Sequence, residues 1–145
     1  MPSNRPSYLL RAVLILAGAA IVFLGLNVGL GGIQTLGWQG GSAPFLTVLD
    51  PQTFGVRDNH VRFIGGVWLG LGLVMLAGGF AFSRLRTALL AFMAMIFVGG
   101  LARFSAFDPA VLLNSAVAPS LLLELVLFPL LALWIAKAER PRKIA

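Results

Sequence analysis

The sequence has no cysteine and a single histidine among its 145 residues. Without cysteine the chain has neither a disulfide scaffold nor a thiol nucleophile. One histidine, His60, with carboxylates scattered along the chain makes a poor metal site, so no metal is predicted. No Ser-His-acid set stands at a recognisable spacing, and no glycine-rich phosphate loop follows a strand, so no catalytic residue is predicted.

Charge is also scarce. Only 11% of the residues are charged and 59% are hydrophobic, whereas a typical soluble domain is roughly 25% charged. This composition excludes a water-soluble globule and a disordered tail. The 11 Lys and Arg outnumber the 5 Asp and Glu, but they lie at the ends of long apolar runs, so no nucleic-acid partner is predicted. The sequence predicts an integral membrane protein.

Four apolar runs predict an all-α, polytopic fold with four transmembrane helices in an antiparallel bundle, a single domain over residues 1–145. The predicted spans are residues 12–30, 63–82, 87–104 and 116–136, and residues 83–86 are expected to form a tight turn. A helix of 19 residues is about 28 Å long, which is enough to cross a bilayer core. A long loop, residues 31–59, follows the first span, and its apolar part 43–49 is expected at the membrane interface. Pro129 predicts a kink in the fourth span.

The positions of the basic residues predict the orientation in the membrane. Eight of the 11 lie on one side of the predicted bilayer and three on the other. The positive-inside rule makes the richer side cytoplasmic, so both termini are expected in the cytoplasm and the loop 31–59 outside. The basic tail, residues 137–143, is expected to contact anionic membrane lipids. The eight residues are Arg5, Arg11, Arg84, Arg86, Lys137, Arg140, Arg142 and Lys143.

Glycines inside the spans indicate where helices approach each other. Gly25 and Gly29 form one small-xxx-small pair, and Gly66 and Gly70 form another. Such residues let neighbouring backbones come close in lipid. They predict helix packing, either within the bundle or against another subunit in a homo-oligomer or a larger membrane complex.

A few polar residues remain within or beside the spans, and topology places them in the outer half of the membrane. Glu124 lies about five residues into the fourth span, roughly 7–8 Å deep. A lone buried carboxylate is costly, so we expect it to pair with Arg103 or Arg62. The cluster is interpreted either as a structural clasp or as a pocket for a lipid-like or quinone-like ligand, and no other cofactor is predicted. Its members are Asn27, Asp58, Asn59, Arg62, Arg103 and Glu124.

Two motifs and one acid carry a resemblance to a known family. The stretch 58–72 reads DNHVRFIGGVWLGLG, residues 99–103 read GGLAR, and Glu124 follows. Together they resemble domain of unknown function 4345, a bacterial family of small four-helix membrane proteins, over residues 12–136. The resemblance implies an inner-membrane protein and supplies no reaction, substrate or cofactor. The matching motif positions are Asn59, Arg62, Gly66, Arg103 and Glu124.

The functional prediction is therefore a small, multi-pass inner-membrane protein. It is expected to be a non-catalytic accessory subunit or structural component of a membrane assembly. The alternative is a binding or transport module whose outer-half pocket, lined by Arg and Glu, takes the lipid-like or quinone-like ligand. An enzymatic role ranks third, because the sequence offers little to catalyse with.

Overall fold

The structure, a computed structural model, describes residues 6–35 and 47–138, and every regular element in these ranges is helical. Helix α1 spans Tyr8–Gly31 and ends in a 3₁₀ turn, Gly32–Gln34; α2 spans Pro51–Phe80. Helix α3, Phe82–Ala102, continues into a 3₁₀ turn, Arg103–Ser105. The short helices α4, Pro109–Leu112, and α5, Ala118–Leu122, follow. A π-helical segment, Leu123–Leu127, joins α5 to α6, Phe128–Ala138.

Four helical stretches in the described ranges are long and apolar enough to cross a membrane. They are Tyr8–Gln34, Pro51–Phe80, Phe82–Ser105 and Ala118–Ala138. The predicted all-helical fold, with four helices long and apolar enough to span a membrane, is therefore confirmed. Many large apolar side chains on these helices are exposed, which suits a surface that faces lipid.

The chain divides into two compact units. The hairpin unit is Ala12–Phe80, and the C-terminal unit combines Met1–Arg11 with Ala81–Ala145. In the C-terminal unit, α3 buries one face at spacings of seven, four and three residues, and α6 buries residues three and four apart. These spacings place the apolar side chains on one stripe of each helix. The buried residues are Phe82, Leu89, Met93 and Ile96 of α3, and Phe128, Leu131 and Ile135 of α6.

Glycines hold the two helices of the hairpin unit in backbone contact. A β-carbon on Gly18 would lie 2.5 Å from the Leu76 nitrogen and 3.0 Å from the Gly72 carbonyl oxygen. Seven residues further along α1, a β-carbon on Gly25 would lie 2.9 Å from the Gly65 carbonyl oxygen. Along this glycine seam the numbering rises in α1 and falls in α2, so the two helices pass in opposite directions.

The predicted glycine pairs meet different surroundings. Gly29 lies against Gly65, with its would-be β-carbon 3.5 Å from the Gly65 carbonyl carbon. Gly66 and Gly70 have nothing within 4 Å of a would-be β-carbon. Gly66 and Gly70 therefore make no close contact with α1, because the seam follows Gly65 and Gly72 on a neighbouring face of α2. Their predicted packing, within the bundle or against another subunit, stays a prediction.

The predicted loop 31–59 is too long, because α2 already begins at Pro51. Asp50 caps its N-terminus: its carboxylate accepts the Gln52 N–H at 3.0 Å and the Thr53 hydroxyl at 2.5 Å. Proline suits the first helical position, since no donor is needed there. Residues 36–46, with most of the predicted interfacial segment 43–49, lie outside the described residues.

The predicted turn at residues 83–86 is wrong as well. The chain leaves helical geometry only at Ala81, and residues 83–86 form the first turn of α3. The N–H groups of Arg84 and Leu85 donate to the Ala81 carbonyl at 3.1 and 3.2 Å, which starts the helix. A charged residue marks where the apolar run ends, and the helix extends beyond that point.

Pro129 is the second residue of α6 and follows directly on the π-helical segment. The N–H of Phe128 donates to the Leu123 carbonyl, a bond five residues back instead of four. Proline has no N–H to continue the α-helical ladder, and a wide turn at this point accommodates the missing donor. The structure thus has a π turn just before Pro129, and the predicted kink of the fourth span stays a prediction.

Candidate functional site

A two-point ion pair joins Arg103, at the end of α3, to Glu124, in the π-helical segment. The Arg103 Nε and Nη2 atoms each donate to one carboxylate oxygen of Glu124 at 2.7 Å. The Glu124 side chain is 8% exposed, whereas that of Arg103 is 39% exposed. Both carboxylate oxygens are engaged, and the fork geometry of the guanidinium matches them. Of the two partners expected for Glu124, the structure thus gives Arg103.

Gly100 makes the approach of Glu124 to Arg103 feasible. A β-carbon on Gly100 would lie 2.9 Å from the Glu124 Cβ and 2.8 Å from the Leu125 Cδ2. Gly100 precedes Arg103 by three residues, so both lie on one face of α3. The neighbouring Gly99 has open space around it. Because Gly100 has no side chain, the fourth span packs closely enough against α3 for Glu124 to reach Arg103.

A second polar cluster, the hairpin clasp, lies in the other unit where α1 ends. Asp58 and Arg62, one turn apart on α2, form an ion pair with Nε 2.6 Å from Oδ2. Arg62 also donates through Nη1 to the Leu30 carbonyl, and Asp58 accepts the Ile33 N–H at 2.8 Å. A carbonyl near the end of α1 and an N–H of the following turn are thus satisfied by charged side chains of α2.

Gly32 allows this end of α1 to meet Asp58. Its φ is +67°, in the left-handed region that favours glycine, and a β-carbon there would collide with the Asp58 carboxylate. The Thr35 hydroxyl closes the turn by donating to the carbonyls of Asn27 and Gly32 at 3.0 and 2.9 Å. The C-terminal end of α1 is therefore held by the turn at Gly32 and by the hairpin clasp.

The predicted polar residues are thus divided between the two units. Arg103 and Glu124 lie together in the C-terminal unit, and Asp58 and Arg62 lie together in the hairpin unit. Asn27 contributes its backbone carbonyl to the turn after α1. Asn59 is exposed on α2.

Sequence reasoning named Gly100 within the motif at 99–103, but it did not single out Gly32 or the backbone contributions to these clusters. The Leu30 carbonyl and the Ile33 N–H are backbone groups, so the side chains at these positions do not reveal their role. Gly32 and Gly100 did carry a signal: one follows the last apolar residues of the first span, and the other stands one turn before an arginine. A glycine one turn from a charged residue inside a span is a usable sign of close approach.

A groove of about 320 Å³ lies beside the first turn of α2, among the residues that the structure describes. Its lining includes Ile33, Leu49, Phe54 and Arg57, and none of the predicted cluster residues. Within residues 6–35 and 47–138, no three His, Cys, Asp or Glu side chains are grouped as a metal ion requires. The chemistry that the described polar residues support is charge pairing and helix capping.

Residues 9–135 match a family model described as Domain of unknown function (DUF4345). This range covers all four apolar helices nearly end to end, together with both polar clusters. No curated protein and no solved structure matches the chain. The match confirms the resemblance read from the motifs at 58–72 and 99–103.

Proposed function

Since the chain belongs to the family described as Domain of unknown function (DUF4345), whose description assigns no reaction, we propose a function from the geometry of the polar residues. The protein is a small integral membrane protein that acts as a non-catalytic accessory subunit or structural component of a membrane assembly. Its polar residues serve to hold its own helices together.

The observation that carries this proposal is the engagement of Glu124. A general acid or base must reach a substrate proton, and this buried carboxylate gives both of its oxygens to Arg103. Arg62 is directed in the same way to Asp58 and to the end of α1. The Arg103–Glu124 pair joins residues 21 positions apart, and the Asp58–Arg62 pair within α2 is hydrogen-bonded to the end of α1. Both arrangements support a role in holding helices together.

We further propose an antiparallel four-helix bundle in a bacterial inner membrane, with both termini in the cytoplasm. The distribution of basic residues supports this orientation, with eight on the cytoplasmic side and three outside. The hairpin clasp and the Arg103–Glu124 pair then both belong to the outer half of the membrane.

A role in an assembly is tested by the size of the particle that the protein forms. The chain is expressed at native level, extracted in a mild detergent and sized by native electrophoresis. We expect a stable homo-oligomer or a larger complex, and a lone monomer would contradict the proposal. Gly66→Leu with Gly70→Leu fills the uncovered face of α2, and Gly99→Leu is the matched control on α3, since all three glycines have open surroundings. Loss of the assembly only in the α2 variant would locate the contact.

The pocket for a lipid-like or quinone-like ligand stays a prediction. It requires guanidinium groups free to bind an anionic or carbonyl head group, and Arg103 and Arg62 are each paired with an acid. Extraction of the purified protein with organic solvent distinguishes the two functions. A quinone or lipid that is retained in stoichiometric amount, and lost in Arg103→Gln, would favour the pocket.

A further inference from the structure

One end of the C-terminal unit gathers basic side chains. Arg86, in the first turns of α3, donates to the carbonyls of Ile135 and Ala136 at 3.3 and 2.8 Å. These bonds fix the start of α3 beside the end of α6. Arg84 and Lys137 stand on the same two helix ends, and both are exposed. We call Arg84, Arg86 and Lys137 the basic end.

The basic end has no carboxylate beside it among the described residues. The described acids of this unit are Glu124, which is bound to Arg103, and Asp108, which caps α4 by accepting the Ala110 N–H at 2.9 Å. Arg103 lies 17 residues beyond Arg86 on α3, about 26 Å along a helix. The described acids therefore lie at the opposite end, and among the described residues of this unit the basic end has no carboxylate counterpart. Glu139 lies outside the described residues, and the sequence sets it against Arg140, Arg142 and Lys143.

This separation of about 26 Å compares with a hydrocarbon core of about 30 Å. When the Arg103–Glu124 pair lies near one boundary of the membrane, the basic end lies at the level of the phosphates on the other.

An apolar track leads from the basic end toward the middle of the membrane. Leu133 and Leu130 lie four and seven residues before Lys137, so the three share one face of α6. Both leucines are 57% exposed. On this face an exposed ammonium group lies above exposed leucines. A phospholipid has the matching order, with a charged head group above its acyl chains.

We propose that the basic end binds the phosphate group of an anionic phospholipid, with the acyl chains lying along Leu133 and Leu130 of α6. Lys137 supplies a point charge, Arg84 supplies planar N–H donors, and Arg86 keeps the two helix ends together. This site needs only that the helices cross a membrane, and it is independent of the proposed accessory role.

The test uses the full chain purified in an uncharged detergent. Phosphatidylglycerol, or phosphatidylcholine with the same acyl chains, is titrated in while tryptophan fluorescence reports the midpoint of thermal unfolding. Phosphatidylglycerol is expected to raise the midpoint far more than phosphatidylcholine does. The gain should shrink with added salt, which screens exposed charges. Equal gains from the two lipids would overturn the proposal.

Variants and a soluble anion complete the test. Arg84→Gln and Lys137→Gln should each weaken the apparent affinity for phosphatidylglycerol about fivefold. Lys137→Arg should retain it. Arg57→Gln, an exposed arginine of the hairpin unit, is the control and should bind like the parent. Unchanged affinity in the Arg84→Gln Lys137→Gln double variant would overturn the site, as would inorganic phosphate alone reproducing the lipid's effect.

Discussion

A β-carbon on Gly100 would lie 2.9 Å from the Cβ of Glu124, closer than side chains pack, so any larger residue at position 100 would force Glu124 or its helix to shift. The same contact brings the carboxylate within 2.7 Å of the Arg103 guanidinium. The third and fourth spans are thus held together by close packing at Gly100 and by the Arg103–Glu124 ion pair one turn later.

We predict that Gly100→Ala destabilises the protein. Alanine favours a helix over glycine by about 1 kcal/mol, but the extra methyl must displace Glu124 and Leu125, and overpacking of this kind costs about 1–3 kcal/mol. Gly99→Ala is the matched control, since it gains the propensity and meets nothing within 4 Å. Thermal unfolding in detergent should rank Gly99→Ala at or above the parent and Gly100→Ala below it. The reverse order would refute the close contact.

The Arg103–Glu124 pair is predicted to be energetically coupled. Glu124→Gln and Arg103→Gln should each lower the free energy of unfolding by about 1–3 kcal/mol, because each leaves the partner without its charged hydrogen bonds. The double variant should lose little more than the worse single variant. Unfolding in graded detergent mixtures measures all four proteins of the cycle. Fully additive losses would show that the two side chains do not act as a pair.

The glycine seam of the hairpin unit predicts a sharp contrast along α2. Gly72→Ala would place a methyl 2.5 Å from the Val22 nitrogen, so the helices must separate, at a cost of about 1–3 kcal/mol. Gly70→Ala, two residues earlier, meets open space and should be neutral or slightly stabilising. Thermal midpoints of the two variants test this directly. Equal midpoints would indicate that the seam is not the contact described.

Gly32 and Gly55 provide a second matched pair. Gly32→Ala should be destabilising, because position 32 has a positive φ and a β-carbon there collides with Asp58. Gly55→Ala, on the exposed first turns of α2, meets no atom within 4 Å and should be tolerated. Hydrogen exchange at the Ile33 amide reports the clasp itself. Protection there should fall in Gly32→Ala and stay unchanged in Gly55→Ala.

Lowering the pH is predicted to destabilise the first turn of α2. The Thr53 hydroxyl, with backbone N–H groups of Thr53 and Gln52, holds the pKa of Asp50 below its ordinary value of 3.8. A carboxyl with a depressed folded-state pKa stabilises above its unfolded pKa, and the contribution is lost as the pH falls through the folded value. The protection of the Gln52 amide, measured relative to the intrinsic exchange rate at each pH, should therefore fall below about pH 4. Asp50→Asn should remove this pH dependence, and an unchanged acid response in that variant would assign it to another group.

Much of the fold could be predicted from the sequence, because the length of an apolar run indicates whether a helix is long enough to cross a membrane. The ends of the helices are harder to predict. The charged residues Arg57, Asp58 and Arg84 end the apolar runs without ending the helices, so the sequence placed a loop and a turn where α2 and α3 continue. The signals that do mark the ends are local ones, such as the Asp50–Pro51 cap.

The polar residues show the same division. Because burying an unpaired carboxylate in lipid is costly, the sequence predicted that Glu124 pairs with an arginine. The expected depth of Glu124 in the membrane left two candidates, Arg62 and Arg103. The choice between them depends on close packing at Gly100, which only the folded backbone reveals. Likewise Gly66 and Gly70 have the spacing of a packing motif, yet the face used lies at Gly65 and Gly72, because small-residue spacing does not specify which partner approaches.

Helix α2 has 30 residues and is about 45 Å long, which exceeds the bilayer core by about ten residues in all, or about five at each end. The charged positions 57 and 58 assign most of this excess to its beginning. The helix is unbroken from Pro51 to Phe80, so its first turns and its glycine contacts with α1 belong to one rigid rod. A displacement of the first turns would therefore be passed directly to that backbone contact, because no flexible linker lies between them.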